Sequence, residues 1–127
     1  MSAASLDSQS TTKLEFVYRA YLDAINARDW LTVASYISSS GAVHNNRPHT
    51  PEQYAEMCNV TSSPYKGIKF IPERILINTV DGKNGTLFCR IRFEYDGSNE
   101  PFFEHVVYDF EEGKITRVDS IVEDRKP

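Results

Sequence analysis

The feature that most restricts the fold is the terminal ribbon: Glu104 to Phe110, a turn at Glu111-Glu112-Gly113-Lys114, then Ile115 to Glu123. Both arms alternate in side-chain direction, so residues two apart share a face, and a one-residue slip in pairing would invert that face. On the first arm Val106, Tyr108 and Phe110 share a face with Glu104. On the second, Ile115 and Ile121 share a face with Arg117, Asp119 and Glu123, while Val118 and Val122 share the other with Thr116 and Ser120. The expected orientation turns the Ile121 face to the interior. Asp119 and Glu123 would then stand as two carboxylates in an apolar wall, which costs free energy and so marks chemistry.

Upstream, the spacing of apolar residues changes from helical to extended. Residues 1 to about 10 are small and polar and are expected to be disordered. Thr12-Lys13-Leu14-Glu15 reads as a capping box opening a helix whose Leu14, Val17, Tyr18, Tyr21, Leu22 and Ile25 form one stripe. Asp29 caps a shorter helix carrying Trp30, Val33, Ala34 and Ile37, and Thr50-Pro51-Glu52-Gln53 opens a third presenting Tyr54, Met57 and Cys58. Between them, residues 42–49 are too polar for a core strand but hold two of the three histidines, His44 and His49.

From Ile68 the pattern is extended, with Pro72 at an edge or bulge. Asp81-Gly82 and Asn84-Gly85 mark a turn, and Leu87, Cys89, Ile91 and Phe93 share one face of the next strand. Three helices followed by an antiparallel meander of three or four strands predict an α+β fold, helices packed on one face of a strongly twisted sheet. One domain, 11–127, accommodates all of this, and 127 residues suffice for one sizeable core.

Composition narrows the partners. Fourteen Lys+Arg against 18 Asp+Glu, a net charge of -4, and no basic run beyond two residues argue against nucleic acid and anionic membrane. There is no apolar run near the ~20 residues of a membrane span, and no signal-like start. A cytoplasmic location and free thiols at Cys58 and Cys89 are therefore expected. Seven Tyr, seven Phe and one Trp suit a domain that lines a hollow as well as filling a core. No phosphate loop, metal-ligand spacing or nucleophile signature stands in the sequence, so neither cofactor nor metal is expected.

Several features in order resemble the SnoaL-like polyketide cyclase group of the nuclear-transport-factor-two-like superfamily. They are the Asn26 to Trp30 step ending the first helix, Val43-His44-Asn45, the capped third helix, and an aromatic strand running into Gly113-Lys114-Ile115 with acids beyond. The resemblance implies a cone-shaped barrel in which three N-terminal helices and a curved antiparallel sheet enclose an apolar pocket performing acid/base chemistry without metal or cofactor. Counted from Gly113-Lys114-Ile115, the family's acid falls on Glu123, a Glu where the polyketide cyclases carry Asp, and Asp119 adds a second acid. The Val-His-Asn, Arg-Pro-His and Thr-Pro-Glu-Gln-Tyr run looks similar to fungal members that rearrange or cyclise terpenoid, meroterpenoid or alkaloid intermediates.

The expected function is thus an isomerase or cyclase acting on an apolar polycyclic natural product. Glu123 and Asp119 would serve as acid and base, with pKa values raised by burial toward ~6 to 7. His44 at the mouth would transfer a proton or orient a carboxylate, or else anchor its loop. Asn45 and Arg47 would hold a substrate carbonyl or carboxylate, with Tyr54, Glu104 and Tyr108 completing the pocket, while His49 is expected to be structural. The outward face with Phe88, Arg90, Arg92 and Glu94 reads as a homodimer surface. A non-catalytic dimeric binding module is the alternative. Epoxide hydrolysis is weaker, because Leu87, Cys89, Ile91 and Phe93 offer no polar partners for it.

Overall fold

The structure, a computed structural model, describes residues 3–123. Three helices, α1 (Ala3–Asn26), α2 (Trp30–Ser35) and α3 (Pro51–Ser62), accompany six strands: β1 (Ala42–His44), β2 (Arg47–His49), β3 (Lys69–Thr79), β4 (Gly85–Glu94), β5 (Phe102–Glu111) and β6 (Lys114–Val122). The helices pack on one open sheet of order β2-β1-β6-β5-β4-β3, the α+β cone expected from the sequence. Every neighbouring pair is antiparallel except β1 and β6, which run parallel, so the sheet is mixed.

The local signals account for most of these elements. Leu14, Tyr18, Tyr21, Leu22 and Ile25 form the buried stripe of α1, each burial contributing about 1.5–3 kcal/mol. Asp29 accepts a hydrogen bond from the Thr32 amide at the start of α2. Thr50 and Gln53 exchange both capping-box hydrogen bonds at the start of α3, at 3.1 and 2.9 Å. Pro72 lies on the edge strand β3 beside a bulge between Pro72 and Arg74, where its missing N–H breaks no ladder.

Two expectations need correction. The helix starting at Thr12 begins instead at Ala3, so the supposed tail is helical from there, where Ala3, Ala4, Leu6 and Gln9 favour helix. Met1 and Ser2 lie outside the described residues. The polar segment 42–49 is a two-stranded hairpin, its turn residues Asn45 and Asn46 both at positive φ (47° and 70°). That pair of left-handed residues is the two-residue turn matching strand twist, and Asn is among the few residues that adopt it cheaply.

Candidate active site

Where the terminal ribbon points decides the chemistry. Phe110 pairs with Ile115 but Asp109 pairs with Arg117, so Thr116 is an extra residue and β6 carries a bulge there. Ile115 before the bulge is fully buried, and beyond it Val118, only 3% exposed, takes the inward side. Ser120 and Val122 follow Val118 into the cavity, while Ile121 is 74% exposed. The expected orientation is therefore reversed. Asp119 and Glu123 lie on the outer face, their side chains 45% and 42% exposed. Asp119 accepts from Arg117 Nε at 2.8 Å, and Glu123 pairs with Arg90 at 3.7 Å. Neither lines the cavity, and the physical reason is the single inserted residue that shifts the alternation.

Inside, a cavity of about 520 Å³ opens between α1, α3 and the sheet. Its apolar wall includes Ile25, Ile68, Phe70, Ile91, Phe93 and Phe102, with Phe93 stacked on Phe102 and edge-on to Phe70, both at 4.7 Å between centroids. Its polar groups converge from five elements: Tyr21 of α1, Tyr54 and Cys58 of α3, His44 and Asn45 of the β1–β2 hairpin, Glu104 and Tyr108 of β5, and Ser120 of β6. Of the proposed site residues, His44, Asn45, Tyr54, Glu104 and Tyr108 are thus brought together. Arg47 is exposed on the edge strand β2 and does not line the cavity, a further correction.

Glu104 is the cavity's one carboxylate among the described residues. It faces inward because Val106, Tyr108 and Phe110, on the same side of β5, fill the core. Desolvation pushes its pKa up to about 7, while the Ser120 hydroxyl pulls the other way. A group titrating there can both take and return a proton at neutrality.

The phenols around it are donors. Tyr18 donates to the Tyr108 hydroxyl at 3.1 Å, and the Tyr21 and Tyr54 hydroxyls are 2.7 Å apart. Burial raises all four pKa values, so they keep their protons. Because Tyr108 accepts from Tyr18, its own hydrogen can be directed into the cavity.

The half-buried His44 has its pKa lowered, first by desolvation and then by the nearby His49, against an upward pull from Asp119. Its ring meets His49 and Tyr54 edge-on at 6.1 and 6.3 Å. His49 itself bonds the Arg47 carbonyl oxygen through Nδ1 at 2.9 Å, as a structural residue would. Cys58 and Cys89 are free, and burial holds their thiols at about 12 and about 11, far from a reactive thiolate. The inward face of β4 is wholly apolar, Leu87, Cys89, Ile91 and Phe93, as expected. Among the described residues no group of three or more His, Cys, Asp or Glu could hold a metal ion, and no helix is long and apolar enough to cross a membrane.

A sequence model of the SnoaL-like domain matches residues 18–118, most of the chain. The chain belongs to the SnoaL-like domain family. Similar solved structures include a SnoaL-like polyketide cyclase from Agrobacterium tumefaciens, 27% identical over 87% of this chain and 91% of that one, with a TM-score of 0.73. A protein from Kribbella flavida named as a candidate ketosteroid isomerase is 14% identical over 91% and 82%, TM-score 0.70. An NTF2-like protein of unknown function from Cytophaga hutchinsonii is 11% identical over 87% and 89%, TM-score 0.64. No curated protein sequence matches the chain. Within the cavity, this SnoaL-like cone departs from the sequence-based expectation in where Asp119, Glu123 and Arg47 sit and in the inward Ser120. Ser120 was missed because its inward direction depends on the Thr116 bulge, which leaves no mark beyond two buried β-branched residues, Ile115 and Val118, at odd spacing.

Proposed function

We propose that this SnoaL-like protein is a cofactor-independent isomerase or cyclase of natural-product intermediates, acting on an apolar molecule that bears a carbonyl. Glu104 is the proton carrier. The observation that supports this most is the single carboxyl among the cavity's described lining residues, its pKa pushed up to about 7 by burial beside phenols and an aromatic wall. Its ionised form removes a proton from the carbon next to the carbonyl. The electron pair moves onto the carbonyl oxygen, where the Tyr108 phenol donates a hydrogen bond to the developing enolate. The Glu104 carboxylic acid then returns the proton, either to another carbon, which isomerises the substrate, or to the alkoxide formed when the enolate closes onto a second carbonyl. Neutral His44 and the Tyr54 phenol orient the polar end, and the Phe70, Phe93 and Phe102 wall holds the apolar body.

Likeness to a polyketide cyclase and to a protein named as a candidate ketosteroid isomerase supports the reaction class. The reading includes a homodimer formed through the outer sheet face. Exposed Leu76, Val107 and Ile121 stand there among charges of both signs, Arg90, Arg92, Glu94 and Asp119, which a two-fold contact can pair.

The test is deuterium uptake next to the carbonyl when a panel of polycyclic ketones and enones is incubated with the protein in D2O. Wild type should accelerate exchange for at least one class, and Glu104→Gln should lose about 10²–10⁴-fold of it. Full exchange in that variant would remove Glu104 from the reaction. Tight binding of a ketone with no exchange in wild type would identify a binding module instead.

A further inference from the structure

The Asn45-Asn46 turn is tied to β6 from both sides of the sheet. On the cavity side, Asn45 Oδ1 accepts from the Ser120 amide at 2.8 Å, and Asn45 Nδ2 donates to Ser120 Oγ at 3.4 Å. The Asn45 amide also donates to the Val118 carbonyl at 2.9 Å. On the outer side, Arg117 donates to Asn46 Oδ1 at 2.9 Å and to Asp119 at 2.8 Å, so the turn is clamped at both of its residues.

Ser120 Oγ, already accepting from Asn45, has its own hydrogen left to donate. Glu104 lines the same cavity: Ser120 sits opposite Val106, and Glu104 is the next inward residue of β5, diagonal to Ser120 on the cavity wall.

We propose that Asn45 is a positioning residue: its carboxamide holds Ser120 so that the serine hydroxyl is turned toward Glu104 on the cavity wall and donates to its carboxylate. This rests on the proton-carrier role given above to Glu104 and adds what regulates it. The other titratable groups around Glu104 are Tyr54 and Cys58 of α3, Cys89 of β4, Tyr108 of β5 and His44 of β1. Burial leaves the phenols and thiols protonated and His44 uncharged at neutrality, so none supplies a positive charge. The Ser120 hydroxyl is the group that favours the ionised acid. A turn that served only as a loop anchor would fix the backbone and leave the acid's titration alone.

Carbon-13 NMR titration of the Glu104 carboxyl separates the two without any substrate. Ser120→Ala removes the donor. Asn45→Gly removes the carboxamide while keeping a residue suited to the left-handed turn. Each should raise the Glu104 midpoint by roughly half a unit to one unit, the size of a hydrogen bond of about 1 kcal/mol. The double variant should move it no further than Ser120→Ala alone, because both act through one contact. An unmoved midpoint in either single variant, or shifts that add in the double, would overturn the proposal. A midpoint that moves as expected while Glu104→Gln retains full deuterium exchange would leave the network standing and remove only the catalytic reading.

Discussion

Glu104 and His44 couple folding to pH with opposite signs. The carboxyl's pKa is raised on folding, so between about 4.5 and about 7 the native state holds a proton that the unfolded state has lost. Its contribution is fully present below the lower value and disappears as pH rises through the upper one, on the order of 3 kcal/mol in all. His44 is lowered from 6.5, so its contribution is present above that pH and is lost as the solution is acidified and the unfolded histidine charges first. Denaturant titrations across this range should show Glu104→Gln abolishing the fall in stability toward pH 7, and His44→Gln weakening the loss on the acid side. A Glu104→Gln profile parallel to wild type would mean that the carboxyl is solvated after all. On the outer face Asp119 and Glu123 pair with Arg117 and Arg90. Their ion pairs are about half exposed, so Glu123→Gln should cost under about 1 kcal/mol and leave deuterium exchange intact.

Among the elements, β6 owes its facing to one inserted residue. Deleting Thr116 would remove the bulge and still leave Ile115, Val118 and Ser120 inward and Arg117, Asp119 and Glu123 outward, because Arg117 already pairs opposite Asp109 as the residue next to Ile115. The deletion variant should therefore fold, with a melting temperature near that of wild type and an unshifted Glu104 titration, whereas in a strand without the bulge the same deletion would swap the faces beyond it and cost several kcal/mol; a collapse of the melting temperature would refute the bulge. At the start of α3, Thr50→Ala should cost about 1 kcal/mol in chemical denaturation. That cap, the Asp29 cap, the bulge beside Pro72 and the inward faces of β4 and β5 were all legible in the sequence, because each follows from local chemistry or from unbroken alternation. Glu104's direction was legible for the same reason. Hidden features depended on partners distant in the chain. The β1–β2 hairpin is too polar to read as a strand and gains its place by parallel pairing of His44 with Val118, and the β6 bulge reveals itself only through pairing with β5. Reading β6 as regular placed the acid/base pair on the wrong side of the sheet and left Ser120 unnoticed.

At the scale of the molecule, the sheet separates two chemistries. Its inner face, with α1 and α3, encloses the cavity and, among the described residues, one carboxylate; its outer face carries ion pairs around Arg90, whose guanidinium lies 3.8 Å over the Phe103 ring and contacts Glu73 and Glu123. If that outer face joins two copies, sedimentation velocity should report a dimer, and Val107→Lys with Ile121→Lys should yield monomers without altering the Glu104 titration. A wild-type monomer at high concentration would exclude the dimer. Everything proposed for the cavity depends on the protonation of its one carboxyl. The most direct measurement is therefore the carbon-13 NMR titration of Glu104 in the wild-type protein: a midpoint near 7 is expected, and one near 4.5, the value of a solvated glutamate, would contradict the assignment of proton transfer to this site.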